Sequence, residues 1–336
     1  MRSIPWLLVL SACYRTPPSL DGTFADADAD TDTDSDADTD ADTDRDTVRL
    51  VTWNIETLGD ASSDEHQAVL DVLRRIDADV IALNEVIDGE STHVEDLADE
   101  LGMTSSFVPS SNPFGEMRNA VLSRLAVVET HAWTSPELSG DARANDVTRY
   151  PVSIVVEIDG GTLGLVSEHW QSGFYDSDTF RRCVDSERVA QATEEVDADI
   201  VVAAGDMNAE VDEGVGNPAT WTEVPVDVPG SFWLGSDLYA VLDGGGLPNE
   251  PFLPLTDRGL TVVDALQLDG RDATRDSSGR RLDYFLVSSR ARVAGAQVYD
   301  ARDDDGSGLP MSGSPPARDT TVRASDHFPV FMDVGL

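Results

Sequence analysis

The chain has no lysine. All 23 of its basic residues are arginine, and 64 carboxylates outnumber them, giving a formal net charge of −41 over 336 residues. The imbalance is uneven, because Asp21 to Asp46 carries 12 aspartates against one arginine, Arg45. Without residues 1–46, which also hold Arg2 and Arg15, 52 acidic and 20 basic residues remain, a charge of about −32. Such a body is a poor electrostatic partner for duplex nucleic acid, whose affinity comes largely from phosphate neutralisation. A nuclease with this balance needs a local basic groove, divalent cations or high salt; the same charge also suits solubility in a salty or extracellular setting. Cysteine is scarce too, with only Cys13 and Cys183. If processing takes Cys13, no intrachain disulfide is possible and the core alone must hold the fold. No stretch approaches transmembrane length: the N-terminal apolar run, Ile4 to Leu10, has seven residues.

Arg2 precedes that run and Leu10-Ser11-Ala12-Cys13 follows it. The segment resembles a bacterial lipobox, so residues 1–13 are expected to be a lipoprotein-type signal peptide with Cys13 lipidated. Pro5 and the short length count against it, and a chance cysteine would look the same. Residues 14–46 are expected to be a disordered acidic tether, since alternating aspartates repel one another and bury nothing. A calcium loop would need a glycine turn and a closing glutamate, and neither follows. A lipid anchor on a solvated tether would hold a globular domain, residues 47–336, away from a bacterial membrane. The expected location is the cell envelope or, without the anchor, the exterior.

From Val48 short apolar strands alternate with amphipathic helices. Strands are expected at Val48–Trp53, Asp79–Leu83, Asn119–Leu122, Val152–Ile158, Thr162–Val166, Ile200–Ala204, Arg281–Val287 and Phe328–Val334. Helices are expected at Asp64–Ile76, from the spacing of Val69, Leu70, Leu73 and Ile76, and at Ser186–Val196. Arg75-Ile76-Asp77-Ala78-Asp79-Val80-Ile81 is echoed by Glu195-Val196-Asp197-Ala198-Asp199-Ile200-Val201. Each runs from helix end to strand, and each strand leads to a carboxylate, Glu85 or Asp206. Two α/β halves packed sheet against sheet would bring both to one rim, although helix–turn–strand units often look alike without duplication.

The polar strand ends match what phosphoester hydrolysis needs: neutralised phosphoryl oxygens, an oriented water and a stabilised leaving oxygen. Asn54, Glu85 and Asp326 offer oxygen ligands suited to Mg²⁺ or Mn²⁺. His327 could take a proton from water if a carboxylate such as Asp283 held its other ring nitrogen. Asp206 and Asn208, two apart, face one way if the segment is extended. His169 could serve the leaving side, and Arg149 could contact a phosphate or make a surface ion pair. Of the five histidines, His66, His93 and His131 read as structural, in helical or loop context.

Trp53-Asn54-Ile55, Leu83-Asn84-Glu85-Val86, Asn119 to Arg124, His169, Gly205-Asp206-Met207-Asn208, Arg281-Leu282-Asp283-Tyr284 and Ser325-Asp326-His327 together resemble, in order, the motifs of the endonuclease/exonuclease/phosphatase family. The resemblance spans about residues 48–335. It implies a four-layer α/β sandwich and Mg²⁺-dependent phosphoester cleavage across the rim of both sheets. It also implies Glu85 as principal metal ligand with Asn54 and Asp326 nearby, a His327–Asp283 base, and Asp206, Asn208 and His169 completing the centre. Asn84 stands where the family often has Gln, a change expected to matter little. The inositol polyphosphate 5-phosphatase signature is missing, and His169-Trp170-Gln171-Ser172-Gly173 is most similar to secreted bacterial nuclease-like members.

The insertion at residues 209–258 carries Trp221, Phe232, Trp233 and Tyr239, expected to pack the loop onto the domain rather than stack on bases or enter lipid. The expected activity is an envelope-anchored or extracellular nuclease or phosphodiesterase. The alternatives are a sphingomyelinase-like lipid phosphodiesterase, for which no apolar hairpin is evident, a small-molecule phosphatase, and a tethered binding module. A phosphoester substrate, with nucleic acid among the candidates, and a membrane reached through the lipid anchor are the expected partners of a monomer.

Overall fold

The computed structural model describes residues 47–336 except 88, 90 and 216–218. The signal segment 1–13 with Cys13 and the acidic tether 14–46 lie outside the described residues. The first half runs β1 (Val48–Asn54), α1 (Asp64–Ile76), β2 (Val80–Ile87), α2 (Ser91–Leu101), β3 (Ser105–Phe107), β4 (Met117–Ser123), β5 (Val127–Ala132) and α3 (Ser135–Ser139). The second begins with β6 (Val152–Ile158), β7 (Gly161–His169), α4 (Asp176–Glu195) and β8 (Ile200–Asp206). It continues through β9 (Thr220–Trp221), α5 (Ser236–Gly244), β10 (Leu247–Pro248), α6 (Leu253–Asp257) and β11 (Thr261–Val262). It ends with β12 (Asp283–Val287), β13 (Arg292–Val298), α7 (Thr320–Ala324) and β14 (Val330–Gly335).

Helix α1 shows how local sequence starts and stops these elements. The Ser63 hydroxyl accepts the His66 N–H at 3.0 Å, acids Asp64 and Glu65 face the positive helix start, and Arg74 and Arg75 face its negative end. Asp77 ends it in the left-handed region, φ 58°, donating its N–H to Leu73 O at 2.9 Å. Val69, Leu70, Leu73 and Ile76 are buried, as their spacing requires.

Two six-stranded sheets result, ordered β13-β14-β1-β2-β4-β3 and β11-β12-β8-β7-β6-β5. Within each, one parallel pair is joined through a helix, β1-α1-β2 and β7-α4-β8, and both pairs have antiparallel neighbours on either side. The two related seven-residue stretches therefore sit at equivalent helix-to-strand joins. Leu50, Val80, Val121, Leu165, Val202, Phe285 and Met332 fill the seam between the sheets. Trp53, Leu83 and Phe331 face α1 and α2 on one outer side, and Val166, Ala203 and Leu286 face α4 and α6 on the other. The architecture is the expected four-layer α/β sandwich. No described helix is long and apolar enough to cross a membrane.

Some local expectations shift. Helix α4 starts ten residues before Ser186, at Asp176. Residue His131 lies on β5, not in a helix or loop. Elements α2, β3, β5 and β13 carry no prior expectation, although Val94, Leu97 and Ala98 give α2 a buried helical stripe. The insertion is anchored by three of its aromatics: Trp221 and Phe232 make edge contacts with Phe180 at 5.6 and 6.3 Å between centroids, and buried Phe252 packs edge-on against Trp170 and Tyr284 at 5.4 and 5.0 Å. Trp233 and Tyr239 remain partly exposed, at 46% and 41%. Arg188, fully buried on α4, clamps the insertion by pairing with Asp146 at 2.6 Å and with Asp237 at 2.6 Å. A buried guanidinium needs such partners to offset its lost hydration.

Gly205 lets β8 approach β7 where the rim forms. A Cβ there would collide with the Glu168 carbonyl oxygen, and φ is 154°. Gly205→Ala is expected to cost at least about 2 kcal/mol, seen as a Tm drop of roughly 4 °C or more in calorimetry. An unchanged Tm would mean that the strands separate freely at this end.

Candidate active site

Side chains on a strand alternate between faces, and the inner face of each central strand ends in a polar residue. The series are Leu50 then Asn54, Val80-Ala82 then Asn84, Leu163-Leu165 then His169, and Ile200-Val202-Ala204 then Asp206. Antiparallel β12 begins with Asp283 before Phe285 and Val287. Pairing registers bring Asn54 beside Asn84, His169 beside Asp206, and Asp283 on the other side of Asp206. The same parity that fills the seam thus gathers these polar groups at one end of it.

Glu85 breaks the alternation. Between Leu83 and Val86 the β2/β4 register slips by one residue, and Glu85 takes φ 65°. The bulge places Glu85 on the same rim as Asn84. A non-glycine residue in that region carries local strain of about 1–3 kcal/mol. Neighbours hold it: the Asn54 amide nitrogen donates to Glu85 Oε1 at 3.0 Å and to Asp206 Oδ2 at 3.0 Å, bridging the sheets. Asn54 Oδ1 accepts the Glu56 N–H at 3.0 Å, which fixes the amide's orientation.

Asn84 does more than neighbour the ligand. Its amide donates to Asn119 Oδ1 and to Glu168 O, both at 2.9 Å, and its oxygen accepts the Asp206 N–H at 3.0 Å. It is a fully buried cross-sheet tie, so the expectation that its identity matters little does not fit its contacts. Asp206 and Asn208 are not on an extended segment either. Asn208 takes φ 48°, donates its N–H to Asp206 Oδ1 at 2.9 Å and turns its amide to Trp170 O at 3.2 Å.

His327 comes from the far end of the chain. Its Nδ1 lies 2.8 Å from Asp283 Oδ2, and its Nε2 is 3.9 Å from Asp206 Oδ2. Ser325 positions it, accepting the His327 N–H at 3.0 Å and donating to Asn54 O at 2.7 Å. Thr274 Oγ1 accepts the N–H of Leu282 and of Asp283 at the start of β12. Asp326 is engaged by Arg275, whose Nε and Nη2 donate to Oδ2 at 3.0 and 2.9 Å; its Oδ1 is 3.7 Å from His327 Nε2. His169 Nε2 stands 3.6 Å from both Glu85 Oε1 and Asp206 Oδ2. Arg149 donates to the carbonyl oxygens of His169 and Trp170 at 3.4 and 3.2 Å. The roles of Asn84, Asn119, Ser325 and Arg275 were missed from the sequence; the phase of Asn84 with Val80 and Ala82 was the one available signal.

Burial raises the Glu85 carboxyl above its ordinary pKa, opposed by the Asn54 amide. Burial likewise raises Asp206, opposed by His327. Burial and then Arg149 hold His169 well below the usual imidazole range, so it is neutral. Burial also disfavours charge on His327, but Asp283 and Asp206 outweigh it and lift its pKa to about 10. Ligand atoms of Glu85, His169 and Asp206 lie within 4.8 Å of one another, as do those of Asp206, Asp283 and His327. The second group is committed to the His327–Asp283 hydrogen bond. The first combines two carboxylates with a neutral imidazole, a donor set that fits a hard divalent ion; Asn54, expected as a ligand, turns its amide nitrogen rather than its oxygen to these carboxylates.

A raised imidazole pKa adds stability in full below the unfolded value of about 6.5, and that stability is lost as pH rises towards the folded value of about 10. In chelator, imidazole NMR is expected to show His327 titrating near 10, and the Tm advantage over His327→Gln should shrink between those pH values. A midpoint near the ordinary value would show that Asp283 and Asp206 do not charge the ring.

The chain matches the model of the Endonuclease/Exonuclease/phosphatase family over residues 51–327. Among solved structures it is similar to D. rerio TDP2 complexed with single strand DNA product, at 16% identity and TM-score 0.51, covering 86% of this chain and 99% of that one. It is similar to the endonuclease/exonuclease/phosphatase from Bacteroides vulgatus, at 14% identity and TM-score 0.54, covering 86% and 99%. ANGEL2, a 2',3'-cyclic phosphatase, gives 14% identity and TM-score 0.53, covering 86% and 95%. No curated protein matches the chain. A family match across most of the sequence, on a fold and rim of this composition, means that the chain belongs to the endonuclease/exonuclease/phosphatase family.

Proposed function

We propose that the protein is a divalent-metal-dependent phosphodiesterase acting on nucleotide phosphodiesters. One observation carries the reading: His327, bonded through Nδ1 to buried Asp283, presents Nε2 towards Asp206 on the rim where Glu85 and His169 also converge. Glu85 and Asp206, which the Asn54 amide nitrogen bridges, would hold Mg²⁺ or Mn²⁺. When bound, the ion supplies positive charge for the phosphoryl oxygens and cancels part of the negative charge that lifts the His327 pKa.

The chain's own groups then divide the work. Asp283 fixes the tautomer of His327, leaving Nε2 to take a proton from the attacking water. As the water oxygen bonds to phosphorus, the bond to the leaving oxygen breaks. Arg149, within electrostatic reach of Glu85, would neutralise the non-bridging oxygens, and the neutral His169 would donate a hydrogen bond to one of them or to the leaving oxygen, while Asn208 braces Asp206 and Trp170 beneath them. The family membership supports phosphoester hydrolysis, and the solved relatives described with single strand DNA product and as a 2',3'-cyclic phosphatase favour a nucleotide substrate. The proposal places the enzyme at the cell envelope, held by lipid on Cys13 through the acidic tether.

With bis-p-nitrophenyl phosphate, DNA, RNA, sphingomyelin and inositol phosphates as substrates, Mg²⁺ should support turnover of the first three and chelator should abolish it. His327→Ala is expected to lower kcat by about 10²–10⁴-fold with Tm largely kept; full activity in that variant would remove His327 as the base. Incorporation of labelled fatty acid should be lost in Cys13→Ser, and equal labelling of both proteins would rule out the anchor.

A further inference from the structure

Beside the rim lies a cavity of about 450 Å³, lined by Phe114, Met117, Thr148, Arg149, Arg181 and Pro229. Its two arginines stand out in a body that is strongly acidic. Arg181, on α4, is nine-tenths buried, and its Nε has no hydrogen-bond partner. Its Nη2 donates to Thr148 Oγ1 at 3.2 Å, and its guanidinium lies over the rings of Phe114 and Phe232, 5.1 and 5.7 Å from their centroids. The buried carboxylate of Asp185 is occupied elsewhere, accepting the N–H of Thr148 at 2.7 Å and of Gln171 at 2.8 Å. Among the described residues neither Arg149 nor Arg181 closes a salt bridge, and their hydrogen bonds go to carbonyl, hydroxyl and thioether groups. The one carboxylate on the lining, Glu116, is exposed.

A guanidinium taken out of water needs an anion or a full set of acceptors to offset its lost hydration. Burial accordingly pulls the Arg181 pKa below its usual value, with Asp185 opposing. The two aromatic rings supply part of the compensation, but the Nε–H is left over. A phosphate in the cavity would supply the counter-charge this guanidinium lacks, a role to which arginine's N–H groups are suited. Arg149 links the cavity to the rim, lining the one and feeling the Glu85 charge of the other. The apolar wall of Phe114, Met117 and Pro229 suits a flat ring carried by the same ligand.

We propose that this cavity is a second anion subsite, in which Arg181 binds a further phosphate on the molecule whose phosphodiester is cleaved at the rim. The inference rests on the phosphodiesterase reading and narrows it to substrates with two or more anionic groups. That phosphate belongs either to the next linkage of a nucleic-acid strand or to a multiply phosphorylated small molecule. The local positive charge concentrates such substrates on a protein whose overall field repels them.

The test compares thymidine 5′-(p-nitrophenyl phosphate) with and without a 3′-phosphate, in Mg²⁺. The wild type is expected to favour the 3′-phosphorylated compound by about ten-fold or more in kcat/KM. In Arg181→Met, checked by calorimetry for folding, that ratio should fall towards one. A thymidylate tetranucleotide and an inositol bisphosphate, run as competitors, identify the source of the second phosphate by which one inhibits more strongly. Equal kcat/KM for the two thymidine compounds in the wild type overturns the subsite and leaves the phosphodiesterase reading standing, whether or not the variant folds. An unchanged ratio in folded Arg181→Met assigns the second phosphate elsewhere and also overturns it. Hydrolysis of neither compound overturns both proposals together.

Discussion

The two-residue period of the strands is the constraint on which the rest depends. Two sheets that bury a common apolar seam must keep every second residue hydrophobic. Where the seam meets solvent the same positions turn polar, so Asn54, Asn84, His169, Asp206 and Asp283 are held in phase by the packing beneath them. Parallel pairing within β1/β2 and β7/β8 sends the C-terminal ends of both pairs to one edge. A register slip of a single residue in any of these strands would turn its polar end outward and its core residues into the helix layer. Function and stability therefore share one requirement here.

Because the requirement is written in alternation, much of it was legible in the sequence. The strands ending at Asn54, Asp206 and His169 follow from apolar runs that stop at polar residues, whereas the four-layer arrangement was implied by the resemblance of the ordered motifs to a known family. Glu85 could be named from its neighbours, but its presentation could not: nothing in Leu83-Asn84-Glu85-Val86 announces a bulge with a glutamate in the left-handed region. The weight of Asn84 was hidden because its partners come from β4, β7 and β8, brought together only by the sheet-on-sheet packing. The pairing of Asp326 with Arg275, 51 residues apart, and that of Arg188 with Asp146 and Asp237 were hidden for the same reason. Side-chain pairing over such separations has no periodicity to betray it.

The charge distribution acquires sense at the same scale. An acidic body ordinarily repels phosphates, and the arginines near the rim are deployed individually rather than as a basic face. Arg275 steadies Asp326, Arg149 looks across at Glu85, and Arg181 sits among aromatic rings. Removing a buried guanidinium from such a setting alters packing as well as charge.

Cys183 shows what the core does for the chain as a whole. Its thiol is buried in the cluster that anchors the insertion, and its pKa is pushed up to about 12 by burial. Thiol–disulfide exchange proceeds through the thiolate, so this sulfur is chemically silent at neutral pH. With no crosslink built on Cys183, the domain should be indifferent to redox poise, equally at home beside glutathione or in an oxidising medium.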